Sequence, residues 1–455
     1  NSISGWPQGP EITSTAAMIM EDSTQTTIYA KNIDQVLYPG ATVKIMTTLL
    51  ALENTQLSDQ VTMTATGVSG VTDGGANISA QLDEVFTVEQ CLYAIMLASA
   101  NEVCNGVAIH VAGSIENYVA KMNEKAKELG CKNTHFMNPN GLWNKDHYTS
   151  PYDMALIGRA AMQNENFRTI ASTKYYDIGK SNKRKYIDPM GNHHKMLNPG
   201  NMPQYGYKYC IGGKTGYTDK CRYTLVTFAK KGNMELVCVV MKVDGSPYMD
   251  TNAYTDTTRL FNYCFEKYDK TMIQDDTSNE INKEYLFTNF SPFYSKDTSS
   301  LHVDSDAGVI LPKGVTLDKT EKKVTYLQTP EKQNGKNVIG HISYTYNGED
   351  VGGADIYYDA TDAATLKDSI TYISSGLIKK RASVEVLEDK YLVDFHRELS
   401  RTFLLSLMKD RASQSDMPAM FTLANTYLLA FFTSVPAMNT NMNFIGTLDV
   451  KTRKN

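Results

Sequence analysis

The stretch "LYPGATVKIMT", Leu37 to Thr47, decides how this chain is read. A helix is predicted to begin after Pro39, near Ala41, with Lys44 one turn inside it. Residues three apart share a helix face, so the side chains of residues 41 and 44 point into the same space. A hydroxyl at 41 would stand beside an amine able to take its proton, at a helix N-terminus whose free N–H groups favour a developing anion. Residue 41 is an alanine instead. Alone, Lys44 reads as a solvated helix lysine, since lysine is common on helix surfaces.

Bulk properties limit the alternatives. The 455 residues suggest two or three domains, and 42% hydrophobic with 21% charged residues is ordinary for a folded chain. A net charge of -5 leaves no basic excess, which argues against nucleic acid as a partner. The seven cysteines form no CxxC pair, so neither structural zinc nor a disulfide framework is supported. The chain opens at Asn1 without an initiator Met or a signal-like apolar run, as a mature secreted form or a trimmed chain would.

Three regions differ in character. From Trp6 to about Tyr268, taken as a domain over 6–272, helical and strand patterns alternate as in a mixed α/β or α+β fold. Within it, "YTLVTFAK" (Tyr223 to Lys230) and "MELVCVVMKV" (Met234 to Val243), joined by Lys231, Gly232 and Asn233, predict a β-hairpin. The polar "QDDTSNEINKE" (Gln274 to Glu284) reads as a linker. Beyond it, over 285–360, "KKVTYLQ" and "NVIGHISYTYNGEDVGGADIYYD" are β-branched and aromatic runs with Asn-Gly turns, the pattern of a small all-β domain. In the last region, 370–455, Leu392, Phe395, Leu399, Phe403 and Leu407 share one helical face. After Asp416 no charged residue follows until Asp449. This helical tail either lies on a membrane surface or packs on a neighbouring chain or domain.

Two further motifs join the first. "SAN", Ser99 to Asn101, falls between two helical stretches, where a hydroxyl and an amide two apart can both face a cleft. Alone it reads as a helix N-cap. "GGKTGYT", Gly212 to Thr218, precedes the hairpin: a lysine and a hydroxyl on a strand edge, then a glycine that lets a ligand backbone come close, suit a carboxylate beside an extended peptide. Alone it reads as a glycine-rich strand entry.

Together the three follow the order xxK, SxN, KTG known for penicillin-binding proteins and serine β-lactamases, here with alanine at the first position. The chain resembles a D-alanyl-D-alanine carboxypeptidase, a low-molecular-weight penicillin-binding protein. The likeness is carried by "WPQGPEI", "AAMIMEDSTQTTIYAKNIDQVLYP", "KIMTTLLALE", "MLASANEVCNGVAIHVAGS", "THFMNPNGLW", "HYTSPYDMALIGRAAM", "GGKTGYTDKCRYTLV" and "TDTTRLFNYCF".

The resemblance implies an α+β fold: a transpeptidase/β-lactamase-like domain, an antiparallel sheet with helices, followed by a small all-β domain and a helical C-terminal tail. It implies a bacterial, extracytoplasmic protein acting on peptidoglycan stem peptides ending in D-Ala-D-Ala and bound by β-lactams, with membrane contact through the tail and no metal or cofactor. Position by position, the nucleophile falls on Ala41, the general base on Lys44, the proton relay on Ser99 and the substrate-holding amide on Asn101. Lys214 and Thr215 would hold the terminal carboxylate, with Gly216 beside them. The backbone N–H groups of residue 41 and Tyr217 would form the oxyanion hole.

Ala41 cannot form an acyl-enzyme, so either a serine was replaced to trap substrate or the chain is a natural non-catalytic relative that binds wall peptides. A class A β-lactamase would need a glutamate to activate water, and "CKNTHFMNPNGL" contains no acid. The remaining features read blandly. His193 and His194 are adjacent and point to opposite faces on a strand. "NPNGL", Asn138 to Leu142, is a turn. Asp219, Lys220 and Arg222 border the cleft without assigned roles. Cys210 and Cys221 bracket the Lys-Thr-Gly strand, and spacing alone leaves their pairing open.

Overall fold

The computed structural model describes residues 5–69, 71, 75–245, 252–273, 301–330 and 335–360. Its first elements are β1 (Ala16–Glu21), β2 (Thr27–Lys31), a 3₁₀ turn (Gly40–Val43), α1 (Lys44–Asn54), β3 (Gln60–Thr62), α2 (Ala65–Val68), β4 (Val85–Thr87) and α3 (Val88–Leu97). There follow α4 (Asn101–Ala112), α5 (Ile115–Glu128), α6 (Pro151–Met162), α7 (Glu165–Ala171), β5 (Tyr175–Tyr176) and β6 (Met190–Gly191). The series continues with β7 (Cys210–Thr218), β8 (Arg222–Lys231), β9 (Met234–Val243), α8 (Asn252–Lys267) and β10 (Tyr268–Met272).

The central sheet runs β2-β1-β9-β8-β7, antiparallel throughout, which leaves β7 on an edge. "AAMIME" shows no polar alternation because every residue of β1 is buried. The period of two instead divides its side chains between two cores. Ala16, Met18 and Met20 join Val237, Val239, Val226 and Phe228 against the helices, whereas Ala17 and Ile19 join Leu236, Cys238, Val240 and Leu225 against α8. The expected hairpin is present as β8 and β9, closed by the pair Lys231↔Met234 around Gly232 at φ 62°.

Local signals set the helix ends. Thr87 and Gln90 form a reciprocal capping box at α3. Ser150 caps α6, with Pro151 in its first turn, and Gly113, at φ 79°, ends α4. One expectation needs correction. The helix anticipated from Ala41 begins as the 3₁₀ turn, and α1 starts at Lys44 itself. Gly40 is left-handed, at φ 54°, and the Thr42 hydroxyl donates to the Pro39 carbonyl at 2.7 Å, which tightens this turn.

Compactness places residues up to 273, with 306–323 and 343–353, in one unit, and the other described residues after 273 in a second. The later strands are β11 (Leu301–His302), β12 (Gly308–Pro312), β13 (Glu321–Tyr326), β14 (Gly335–Tyr346) and β15 (Glu349–Ala360). In the first unit β10 pairs antiparallel with β12, which meets β15 at Gly308↔Gly353; in the second, β11 pairs with β15 at Leu301↔Tyr358. Asn347 and Gly348, at φ 50° and 80°, supply the two left-handed residues of the turn between β14 and β15. The linker over Gln274 to Glu284 and the helical tail over 370–455 lie outside the described residues. Among those described, no helix is long and apolar enough to cross a membrane.

Candidate active site

Residue 41 lies half-buried in the 3₁₀ turn, and its surroundings are largely backbone. A Cβ added at Gly216 would come within 2.9 Å of the Ala41 nitrogen, and one at Gly141 within 2.1 Å of the Gly40 carbonyl oxygen. The β7 edge and the 138–142 turn therefore close on residue 41 from two sides, and glycine is what permits the approach.

Three residues on, Lys44 is fully buried. Its ammonium donates to Asn101 Oδ1 at 2.7 Å and to the Asn140 carbonyl at 2.5 Å. Burial pushes its pKa below the ordinary lysine value, opposed by the Cys104 thiol and the Glu102 carboxylate. An amine so placed gives up its proton more readily than an ordinary lysine does.

Ser99 and Asn101 occupy the junction between α3 and α4, with Ser99 at φ 60° and both residues buried. The N-cap of α4 is Ala100, without a side-chain cap, so neither Ser99 nor Asn101 fills the capping role that its residue type allows. The Asn101 backbone N–H donates to Ala76 at 2.9 Å, and Glu102 Oε1 accepts from the Ile78 and Ala80 amides. The 75–80 loop is thereby tied to the start of α4.

On β7, Lys214 is 1% exposed and donates to the Thr215 carbonyl at 3.0 Å. It pairs with Val226 of the helix-facing core, so it projects toward Lys44, whereas Thr215 and Tyr217 pair with Leu225 and Tyr223 and face the α8 side. Burial, and then the neighbouring Lys44 charge, bring Lys214 down from 10.5 to about 7. Thr215, Gly216 and Tyr217, with Lys195, Tyr205 and Tyr254, line a cavity of about 220 Å³ along this strand.

The structure thus gathers Lys44 and Asn101 into direct contact, sets Lys214 within their electrostatic reach, and brings Gly216 against residue 41. Asn140 was missed by the sequence reading. Its carbonyl holds Lys44, and its side chain donates to Asn105 at 3.1 Å and accepts from Leu142 N at 2.9 Å. The "NPNGL" turn carries a function that any residue's carbonyl could supply, so only the Asn-Gly geometry signalled it. His194 is buried against Thr227 at 2.9 Å and His193 is exposed, although both follow β6 in a loop and not on the strand expected for them. Among the described residues no group of three or more His, Cys, Asp or Glu is placed to hold a metal ion. All seven cysteines are free thiols, Cys210 and Cys221 included.

A buried lysine of lowered pKa three residues from position 41 and a second buried lysine on an edge strand that approaches residue 41 are compatible with acyl-transfer chemistry. Residues 5–245 match the model of the peptidase family described as D-alanyl-D-alanine carboxypeptidase. The chain is 34% identical over 259 residues to D-alanyl-D-alanine carboxypeptidase DacF of Bacillus subtilis, covering 56% of this chain and 62% of that protein. It is 30% identical over 271 residues to the D-alanyl-D-alanine carboxypeptidase of Streptomyces sp. strain K15, covering 56% and 88%. The crystal structure of the Streptomyces K15 DD-transpeptidase superposes with a TM-score of 0.52 at 28% identity, over 57% of this chain and all of that one. With the family match, the relatives and the fold in agreement, this chain belongs to the D-alanyl-D-alanine carboxypeptidase family.

Proposed function

We propose that this site binds peptidoglycan stem peptides ending in D-Ala-D-Ala, outside the cytoplasm of a bacterium, and that residue 41 stands where an acylated serine acts. The observation that supports this reading most is the approach of Gly216 to the Ala41 nitrogen, which leaves the β7 edge and residue 41 close enough for one bound peptide to meet both. With serine at 41, neutral Lys44 takes the hydroxyl proton as oxygen attacks the penultimate D-Ala carbonyl. The N–H groups of residues 41 and 217 hold the oxyanion, and Lys214 with Thr215 holds the terminal carboxylate. Ser99, two residues before Asn101, passes the proton to the departing D-Ala, and Asn101 positions the peptide amide. Water then releases the acyl group.

The present chain lacks that hydroxyl, and removing a catalytic serine costs about 10⁶ in rate. It therefore acts as a substrate trap or, in the second reading that Ala41 itself favours, as a non-catalytic wall-peptide binder. The test is Ala41→Ser beside the present protein. Covalent labelling by a fluorescent penicillin and D-Ala release in the serine form alone support the carboxypeptidase reading. A serine form that binds peptide without labelling or release supports the binder. We further propose that the unit after residue 273 is a small β-rich accessory to this domain, and that residues 370–455 supply contact with a membrane surface.

A further inference from the structure

We infer that the site continues past Thr218 into a basic pocket that takes a carboxylate of the stem peptide upstream of D-Ala-D-Ala. This rests on the reading above, which fixes the direction of the peptide. With its terminal carboxylate at Lys214 and Thr215 and its scissile carbonyl at the 217 amide, the peptide runs antiparallel to β7. Its N-terminal part then leads toward the turn at Asp219 to Cys221.

That turn holds features the reaction does not use. The Lys220 ammonium lies 5.9 Å from the centre of the Trp143 ring, which meets Tyr38 edge-on at 6.2 Å. Trp143 is 51% exposed, a large ring left in water at the end of the strand edge. Beside them a cavity of about 280 Å³ is lined by Tyr38, Lys145, Tyr148, Lys220, Cys221 and Lys242, and no Asp or Glu lines it. Among the described residues no ion pair engages Lys145, Lys220 or Lys242. Asp219 accepts from the Tyr217 hydroxyl at 3.3 Å instead. Three unneutralised ammonium groups around one cavity, with an aromatic platform at its side, suit an anion carried on a partly apolar chain. A stem peptide is such a chain, because a glutamate linked through its side-chain carboxyl keeps its main-chain carboxylate free.

The test uses the present Ala41 protein, which cannot turn substrate over. Binding is measured by calorimetry for two pentapeptides that differ only in whether this glutamate carries its free carboxylate or the carboxamide, with capped D-Ala-D-Ala alongside. The carboxylate peptide should bind about three- to tenfold tighter at low salt, as two or three exposed charge pairs allow. That ratio should shrink in Lys145→Gln/Lys220→Gln, and fall to one when Lys242→Gln is added and at high salt. Equal affinities for the two pentapeptides, or a ratio that survives the lysine substitutions, overturn the inference while dipeptide binding keeps the D-Ala reading intact. Failure of all three ligands overturns both, and penicillin labelling of the Ala41→Ser form separates that result from a misfolded site. A polyglycerol phosphate chain that binds through the same lysines while the pentapeptides tie would assign the pocket to a phosphodiester and overturn the peptide assignment.

Discussion

The Lys44 ammonium stands 2.7 Å from Asn101 Oδ1, a contact between two helices whose residues are 57 positions apart. Lys44 gains a fixed direction from it, and also from the Asn140 carbonyl, in a site where its charge is costly. In an Ala41→Ser background, Lys44→Met is expected to lower acylation by fluorescent penicillin by about 10²–10⁴, the range for a lost general base. The melting temperature should move little, because relief of a buried charge offsets the two acceptors left unpaired. Stopped-flow labelling and a thermal melt of both proteins check the two halves.

Asn140 holds Lys44 with its carbonyl, while its side chain bonds Asn105 and Leu142 and keeps that carbonyl aimed. Asn140→Ala therefore leaves the direct contact in place and loosens its support. The expected outcome is a loss of about 1–2 kcal/mol in stability, from one buried and one partly buried hydrogen bond, measured by urea unfolding. A reduced acylation rate should accompany it in the Ala41→Ser background.

Two left-handed glycines should respond very differently to alanine. Gly141, at φ 88°, would place its new Cβ 2.1 Å from the Gly40 carbonyl oxygen, a backbone atom that cannot swing away. Gly232, at φ 62° in the hairpin turn, would meet nothing within 4 Å. Gly232→Ala is expected to cost about 1–2 kcal/mol, the strain of the left-handed conformation alone. Gly141→Ala should cost clearly more and displace residue 41. Unfolding curves of the two variants give the difference directly.

The motifs were legible through their order along the chain, Lys44, then Ser99-Ala100-Asn101, then Lys214-Thr215-Gly216, because each alone is ordinary for its position. The hairpin was legible because Gly232 and Asn233 separate two apolar runs, and β-turn chemistry is local. The Asn-Gly pair marked the 138–142 turn but not the role of the Asn140 carbonyl, since a carbonyl belongs to every residue and the Asn140 side chain is held by Asn105, 35 positions away. Nor does sequence reveal that α1 starts at Lys44, because the 3₁₀ turn before it depends on Gly40 lying against Cys221 across the fold. The unneutralised state of Lys145, Lys220 and Lys242 is likewise tertiary, as each is an ordinary surface lysine in the sequence.

Lys214 gives the site a pH dependence whose sign follows from its burial. Its pKa falls from 10.5 to about 7, so the fold disfavours the charged form. For a lysine depressed in this way the cost to stability is full below about pH 7 and fades as pH rises toward 10.5, where the unfolded chain also loses the proton. Lys214→Met should therefore raise the melting temperature over the present protein at pH 6, with the gain shrinking by pH 10. Ligand binding runs the other way. A D-Ala carboxylate beside Lys214 favours the ammonium and raises its pKa in the complex, so binding draws in a proton whenever the free site is neutral. Affinity for capped D-Ala-D-Ala is expected to be flat below about pH 7 and to fall above it, by up to about tenfold per pH unit. Calorimetry at pH 8 in buffers of different ionisation heat should show up to one proton taken up per peptide, and Lys214→Met should abolish the uptake. No uptake at pH 8 in the present protein would mean that Lys214 is already charged there, which overturns the depressed pKa.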